Sequence, residues 1–259
     1  MSADLLPSEV ADGVLTVTID RPDKRNALSQ DMLASLAALF ADHAADEALC
    51  LAVLRGSGDK NFAAGGDLVE LADVRTPADA KAMAVHSKSA LDAIRNFPVP
   101  VIAALNGDAL GGGSAVAVSC DFRVAAAHAR LGFVQGRLNV TSAWGGGIDL
   151  MTIVGPTRGL ELLAQGRMVG GAEALALGLI DAVADDGEGL DQALARFAEP
   201  LKRQKPQVMR AFKALAKGVR AGLPRHQLET LETEMFVDAW VHEDHWAAVN
   251  KLLSGWRDK

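Results

Sequence analysis

Residues 106–115 read Asn106-Gly107-Asp108-Ala109-Leu110-Gly111-Gly112-Gly113-Ser114-Ala115. The stretch follows an apolar, strand-like run ending near Leu105, and Ala115 to Ser119 has the character of the start of a buried helix. A glycine run at a helix N-terminus presents backbone N–H groups that have no partner within the helix, with the positive end of the helix dipole behind them. That arrangement suits an oxygen on which negative charge develops. Other glycine motifs fail here. No Gly-Lys-Ser/Thr follows, the G-x-G-x-x-G spacing is absent, and without G-x-S-x-G Ser114 is a poor nucleophile. The competing reading is a plain turn that needs positive φ.

A second small-residue stretch, Asn61-Phe62-Ala63-Ala64-Gly65-Gly66-Asp67-Leu68, follows a strand and the turn Arg55-Gly56-Ser57-Gly58. Gly65-Gly66 can turn an amide N–H into a cleft and lets a ligand approach the backbone, although such a stretch read alone is as well explained by an ordinary loop.

The chain around these loops has 259 residues, 49% hydrophobic and 23% charged, which suits one larger α/β domain or a core with a helical appendage. A formal net charge of −7 argues against a broad nucleic-acid surface, since that needs a basic footprint. No run approaches the ~20 apolar residues of a membrane span, and the N-terminal residues lack a secretory pattern, so the expectation is a cytoplasmic protein. Cys50 and Cys120, without metal-type spacing, read as buried thiols, and the absence of tyrosine excludes every mechanism that uses a tyrosyl acid, base or nucleophile.

Val14 to Ile19 alternates as a half-buried strand. Leu49 to Leu54, Val99 to Leu105 and Phe122 to Ala125 read as short buried strands, and Ile180 to Val183 as a further one. Ser29 is placed to cap a helix with Leu33, Leu36 and Phe40 on one face, and Thr76-Pro77 to start one that runs to about Asn96. Helices also begin near Pro156 and at Pro206, the latter expected to end at Gly218. The pattern is only helical from about Leu190. The expectation is an α/β core over residues 1–190 and a helical C-terminal region over residues 191–259, serving oligomerisation and covering the acyl site.

Taken together, the two loops resemble the crotonase (enoyl-CoA hydratase/isomerase) superfamily. Arg21 to Ser29 is similar to its acyl-CoA-contacting segment, Phe62 to Leu68 to its oxyanion loop, and Pro100 to Gly113 to its strand–Asn-Gly–Gly-Gly-Gly segment. Cys120-Asp121 and Ala174 to Val183 also match in order. The resemblance implies a β-β-α superhelix, assembly as a homotrimer or a dimer of trimers, and an acyl-CoA substrate with coenzyme A as part of that substrate and no other cofactor or metal. It implies oxyanion donors at the Gly66 and Gly112 N–H groups. Contacts to coenzyme A are implied for Lys24, Arg25, Ala27, Ala64, Gly65, Asp67, Leu68 and Phe236. Asp67, Asn106 and Asp121 are expected to satisfy buried backbone rather than to react.

The sequence departs from the family at both glutamates of its hydratases. Ala115 stands at one position and Gln135 at the other, and no carboxylate lies between Asp121 and Asp149. Neither an alanine methyl nor a neutral glutamine removes a proton from water. Decarboxylation of a malonyl-type thioester needs no such base, because loss of CO2 itself generates the enolate. Residues 139–147, which include Trp144, and the Phe236…Trp240 spacing also resemble ethylmalonyl-CoA decarboxylase-like members. The expected pocket residues are Gln135, Asn139, Thr141 and Trp144. A hydratase or isomerase with another acid/base and a non-enzymatic acyl-CoA-binding protein are the alternatives. His86 and Lys88 read chiefly as a solvated helix face, His242 and His245 as a poor metal pair. The basic run from Lys202 to Arg220, with Lys213 and Lys217 on one face, reads as a solvated face before it reads as a phosphate site.

Overall fold

The computed structural model describes residues 6–257. Its strands are β1 (Ser8–Ala11), β2 (Val14–Ile19), β3 (Leu51–Gly56), β4 (Asn61–Ala63), β5 (Val101–Leu105), β6 (Asp108–Leu110), β7 (Phe122–Ala125), β8 (Arg130–Gly132), β9 (Met168–Gly170) and β10 (Ala182–Val183). Its helices are α1 (Gln30–His43), α2 (Pro77–Arg95), α3 (Gly112–Ser119), α4 (Gly146–Val154), α5 (Pro156–Gln165), α6 (Gly171–Ala176), α7 (Leu190–Lys202), α8 (Pro206–Arg220), α9 (Arg225–Val241) and α10 (Glu243–Arg257).

From β3 to β8, consecutive strands alternate between two sheets. One sheet has the order β1-β2-β3-β5-β7-β10, the other β4-β6-β8-β9. Each of the pairs β3–β4, β5–β6 and β7–β8 therefore lays one strand in each sheet before the chain turns back, which is the repeat of a β-β-α superhelix. Within the larger sheet all neighbours are parallel except β1 with β2.

The period of two decides where each side chain goes. Along β5, Val101, Ala103 and Leu105 enter a core shared with α1, α2 and α3, while Ile102 and Ala104 enter a second core on the opposite face. That second core is closed by Ala193 and Ala198 of α7 and Met209 of α8. A sheet covered on both faces needs apolar strands without polar alternation, as β3 and β5 have. β2 has only one fully buried face, with Leu15, Val17 and Ile19 inside, and keeps the alternation.

Local signals set the element ends. Ser29 Oγ accepts from the Met32 N–H at 3.1 Å, and Thr76 Oγ1 from the Asp79 N–H at 3.1 Å. β3 begins two residues after the expected Leu49, because its ladder with β2 starts at Leu51 opposite Val14. β5 begins at Val101 and not Val99, since Pro100 has no N–H to give. β10 is confined to Ala182–Val183, the two residues that pair with β7. α3 begins three residues before the expected Ala115, and α8 runs past Gly218 to Arg220. A Cβ on Gly218 would stand 2.9 Å from Leu228 Cδ2, so that glycine admits α9 beside α8. The turn that follows α8 closes at Gly222, at φ +70°, where the Gly222 and Leu223 N–H groups return to the Val219 and Gly218 carbonyls.

Candidate active site

Two segments far apart in sequence are stitched together around Gly66. The Leu28 N–H donates to the Gly65 carbonyl at 2.8 Å, the Asp67 N–H to the Leu28 carbonyl at 3.0 Å, and the Ala64 N–H to the Arg25 carbonyl at 3.1 Å. These bonds occupy the groups on either side of Gly66, and its own N–H has no acceptor among the described residues. Arg21 fastens the same junction. Its guanidinium donates to the Ala27 carbonyl at 2.8 Å and pairs with Asp67 at 3.0 Å. Partial desolvation opposes ionisation of Asp67, yet Arg21 and the Glu70 and Val69 N–H groups hold its carboxyl below the usual range.

The second loop comes against the first at backbone distance. Gly65 has φ +99°, and a Cβ there would stand 3.0 Å from the Leu110 oxygen and 3.3 Å from the Gly112 nitrogen. Any other residue would force the loops apart. Gly111, at φ +53°, turns the chain so that Gly112 is the first residue of α3, and its N–H belongs to the unpaired first turn. A Cβ on Gly113 would overlap the Ala63 carbonyl, so the glycine run also lets α3 lie directly on β4.

Trp144 closes the arrangement. Its indole is 7% exposed and lies over both glycines: a Cβ on Gly112 would be 2.7 Å from Trp144 Cη2, and one on Gly66 3.4 Å from the same atom. The indole is aimed by an ion pair beneath it. Arg95 donates to the Trp144 carbonyl at 3.1 Å and pairs with Asp149 at 2.6 Å. Burial raises the Asp149 pKa, with Arg95 opposing that shift.

Gly66, Gly112 and Trp144 line one cavity of about 190 Å³. Ala64, Gly65, Leu68, Ala115, Gln135 and Thr141 line it too. Among the described residues that line it, none is an Asp, Glu, His, Lys, Arg or Cys. Ala115 is buried against Gly146, and Gln135 Oε1 is shielded from solvent without a hydrogen-bond partner. An unpaired buried acceptor costs about 1–3 kcal/mol, which a ligand donor can recover.

Other expected residues lie elsewhere. Asn139, at φ +55°, lines a neighbouring chamber together with Gln135 and Thr141. Lys24 and Arg25 are exposed beside the stitched junction, and Ala27 is half-buried within it. Phe236 does not line the cavity: it is 57% exposed on α9, with its ring 5.3 Å from that of Trp240. His86 and Lys88 are exposed on α2, and His86 meets the Gln30 carbonyl. His242 contacts Asp244 and Gln207, while His245 stacks on Trp240.

Ser114 is fully buried, with its hydroxyl held by the Ala109 and Gly132 backbone. Asn106 accepts from the Gly56 N–H at 2.9 Å and donates to the carbonyl of Gly58 at 2.9 Å. Asp121 accepts from the Val101 N–H at 2.8 Å. Both thiols are buried, and burial pushes Cys120 up to about 12. Lys213 corrects the solvated-face reading. It is 3% exposed and paired with Asp121, which Arg220 also meets at 2.7 Å, so this part of the basic run anchors α8 to the sheet. Sequence reasoning missed Arg95 and Asp149, whose spacing in the chain carries no signal.

Residues 9–253 match the enoyl-CoA hydratase/isomerase family. Similar proteins include a crotonyl-CoA hydratase from Syntrophomonas wolfei, 30% identical over 91% of this chain and 89% of that protein. A carnitinyl-CoA dehydratase from Shigella flexneri is 31% identical over 85% of this chain and 88% of that protein. Among solved structures, an enoyl-CoA hydratase from Bacillus anthracis superposes with a TM-score of 0.89 at 26% identity, covering 97% of this chain and 96% of that one. Pseudomonas aeruginosa DspI superposes with a TM-score of 0.88 at 32% identity, covering 97% and 94%. The chain belongs to the enoyl-CoA hydratase/isomerase family of the crotonase superfamily. It is an acyl-CoA-processing enzyme of that family.

Proposed function

We propose that the protein decarboxylates a malonyl-type coenzyme A thioester, with the Gly66 and Gly112 N–H groups stabilising the enolate oxygen. The observation that carries this reading is the absence of any titratable side chain among the described residues that line the cavity. Hydration and double-bond migration both need a group that moves protons to and from carbon or water. Decarboxylation begins without one. The bond from the α-carbon to the carboxylate breaks, its electron pair moves onto the thioester carbonyl oxygen, and CO2 leaves. The enolate then takes a solvent proton at the α-carbon. Two amide donors placed where the oxygen becomes negative favour that step over the ground state. A carboxylate at position 115 or 135 would repel the substrate's own charge, and Ala115 and Gln135 avoid this.

The named relatives are hydratases and dehydratases, so the reaction is argued from the cavity lining and not from them. In this reading Trp144, Gln135 and Thr141 shape the site around the α-carbon, with Asn139 beside it. Ala64, Gly65 and Leu68 border the thioester, Asp67 and Ala27 stand behind them in the Arg21 junction and outside the cavity lining, and Lys24 and Arg25 meet the coenzyme A phosphates. Phe236 reaches an acyl-CoA only across an assembly, as a homotrimer or dimer of trimers built through the C-terminal helices. Exposed Phe236, Val237, Trp240 and Val241 support that assembly. A cytoplasmic placement belongs to this reading; no helix among the described residues is long and apolar enough to cross a membrane.

The test is a mass-spectrometric turnover assay with crotonyl-CoA, methylmalonyl-CoA and ethylmalonyl-CoA offered separately. CO2 loss from a malonyl-type substrate without hydration of crotonyl-CoA supports the reading. Rapid hydration of crotonyl-CoA overturns it, and binding of all three without turnover favours an acyl-CoA-binding protein.

A further inference from the structure

Trp144 covers both glycines, yet its own ring does not fix it there. The indole N–H meets no acceptor among the described residues, and residues 140–145 form neither helix nor strand. Among the described residues, one hydrogen bond ties residues 141–145 to an element other than α4. It comes from Arg95, the last residue of α2, whose Nη2 donates to the Trp144 carbonyl at 3.1 Å. The guanidinium is itself held on every side. Nε and Nη2 meet Asp149 Oδ2 at 2.9 and 2.6 Å, and Nη1 meets Asp92 Oδ1 at 2.7 Å. It also lies flush on the backbone that follows Trp144: a Cβ on Gly145, at φ +89°, would stand 2.7 Å from Arg95 Nη2. Arg95 and Asp149 do not line the cavity at Gly66 and Gly112. They line a separate one of about 240 Å³, together with Asp92, Lys217 and Arg220. Any effect of this ion pair on the reacting oxygen therefore passes through Trp144.

We infer that Arg95 is a positioning residue of the oxyanion site, holding the Trp144 indole over the Gly66 and Gly112 amides so that water does not compete for them. The inference rests on the reading of those two amides as the oxyanion donors. Its consequence is selective. A neutral thioester carbonyl gains little from a dry donor, whereas an enolate oxygen gains much, because the attraction of a full charge to the amide dipoles grows as water is removed. Loosening the indole thus weakens binding of the enolate more than binding of the neutral thioester. Asp149 stands one step further back, since it holds Arg95.

The experiment titrates the full chain with acetoacetyl-CoA, whose ionised form is an enolate with its own near-ultraviolet absorbance, and with butyryl-CoA, which stays neutral. In the wild type, bound acetoacetyl-CoA ionises at a lower pH than the free thioester. Arg95→Met and Asp149→Asn weaken enolate binding at least about tenfold more than butyryl-CoA binding, since a misplacement of about 1 Å can cost up to about 100-fold at a reacting centre. Arg95→Lys, which keeps a donor for the Trp144 carbonyl, recovers part of the loss. In a Trp144→Leu background Arg95→Met has no further effect, as expected of two residues that act as one unit. Asp149→Asn keeps the side chain's shape and decides the matter alone if Arg95→Met does not fold. Enolate binding that survives both changes overturns the inference. Equal losses for the two thioesters, or a further loss in the Trp144→Leu background, assign Arg95 to the fold at large and overturn it too. A wild type that binds butyryl-CoA but leaves the ionisation of acetoacetyl-CoA unmoved overturns the oxyanion reading itself, and the role of Arg95 with it.

Discussion

At the scale of single residues, the site is made of backbone, and side chains mainly hold that backbone still. Gly66 and Gly112 offer amides, Gly65 lets the two loops touch, and Arg21 with Asp67 locks the junction. Asp67 gives this a pH dependence whose sign is fixed. Its folded-state pKa is depressed below the ordinary carboxylate value of about 3.9, so its stabilising contribution is fully present above about pH 4. That contribution is lost as pH falls through the depressed value. Thermal melts of the wild type and Asp67→Asn should therefore differ most above the ordinary carboxylate range and converge as pH falls below the depressed value. A gap that stays constant across that range would show that the Arg21 pair does not tune the junction. The special backbone at Gly65-Gly66 and Gly111 to Gly113 was legible in sequence, because glycine runs announce it directly; the Arg21–Asp67 pair was not. The brace under Trp144 was not legible. Arg95, at the end of α2, reaches both Asp149 of α4 and the Trp144 carbonyl, and no spacing in the chain encodes that meeting.

At the scale of elements, the parallel sheet was readable and its partner sheet was not. β2, β3, β5 and β7 carry four to six residues of clear apolar pattern. β4, β6, β8 and β9 have three residues each, too few to display a period, and they exist because each pairs with the strand before or after it in the superhelix. Gly218 misled in the other direction, because a glycine that admits a neighbouring helix looks in sequence like one that ends its own. The same packing explains Lys213. α8 lies so close to the sheet that its cation is sealed against Asp121. Desolvation lowers the Lys213 pKa and Asp121 opposes that shift. Lys213→Ala leaves Asp121 buried with only part of its compensation, and should cost about 3–5 kcal/mol in urea unfolding. Lys217→Ala on the same helix, without a partnered burial, should cost less than about 0.5 kcal/mol. Equal effects would return both lysines to a solvated face.

At the scale of the whole molecule, α9 and α10 contribute little to the core and leave Phe236, Val237, Trp240, Trp246 and Leu252 exposed. Sedimentation velocity should give three or six chain masses, and Trp240→Glu with Val241→Glu should dissociate the assembly; a monomeric wild type would refute that arrangement. The superhelix brings residues from the loop after β4, from α3 and from the 134–144 segment to one cavity, and the proposed chemistry turns on what that cavity lacks. The most direct test of that claim is the initial rate of CO2 release from ethylmalonyl-CoA by the wild type and by Gln135→Glu, a change that keeps the side chain's shape and adds one negative charge. Two like charges in close contact, at the effective dielectric of a partly buried site, repel by up to about 4 kcal/mol, and Gln135 lines the cavity that would hold the substrate. The account predicts release by the wild type and a fall of at least about tenfold in the variant. No release by the wild type, or equal rates from both proteins, would contradict it.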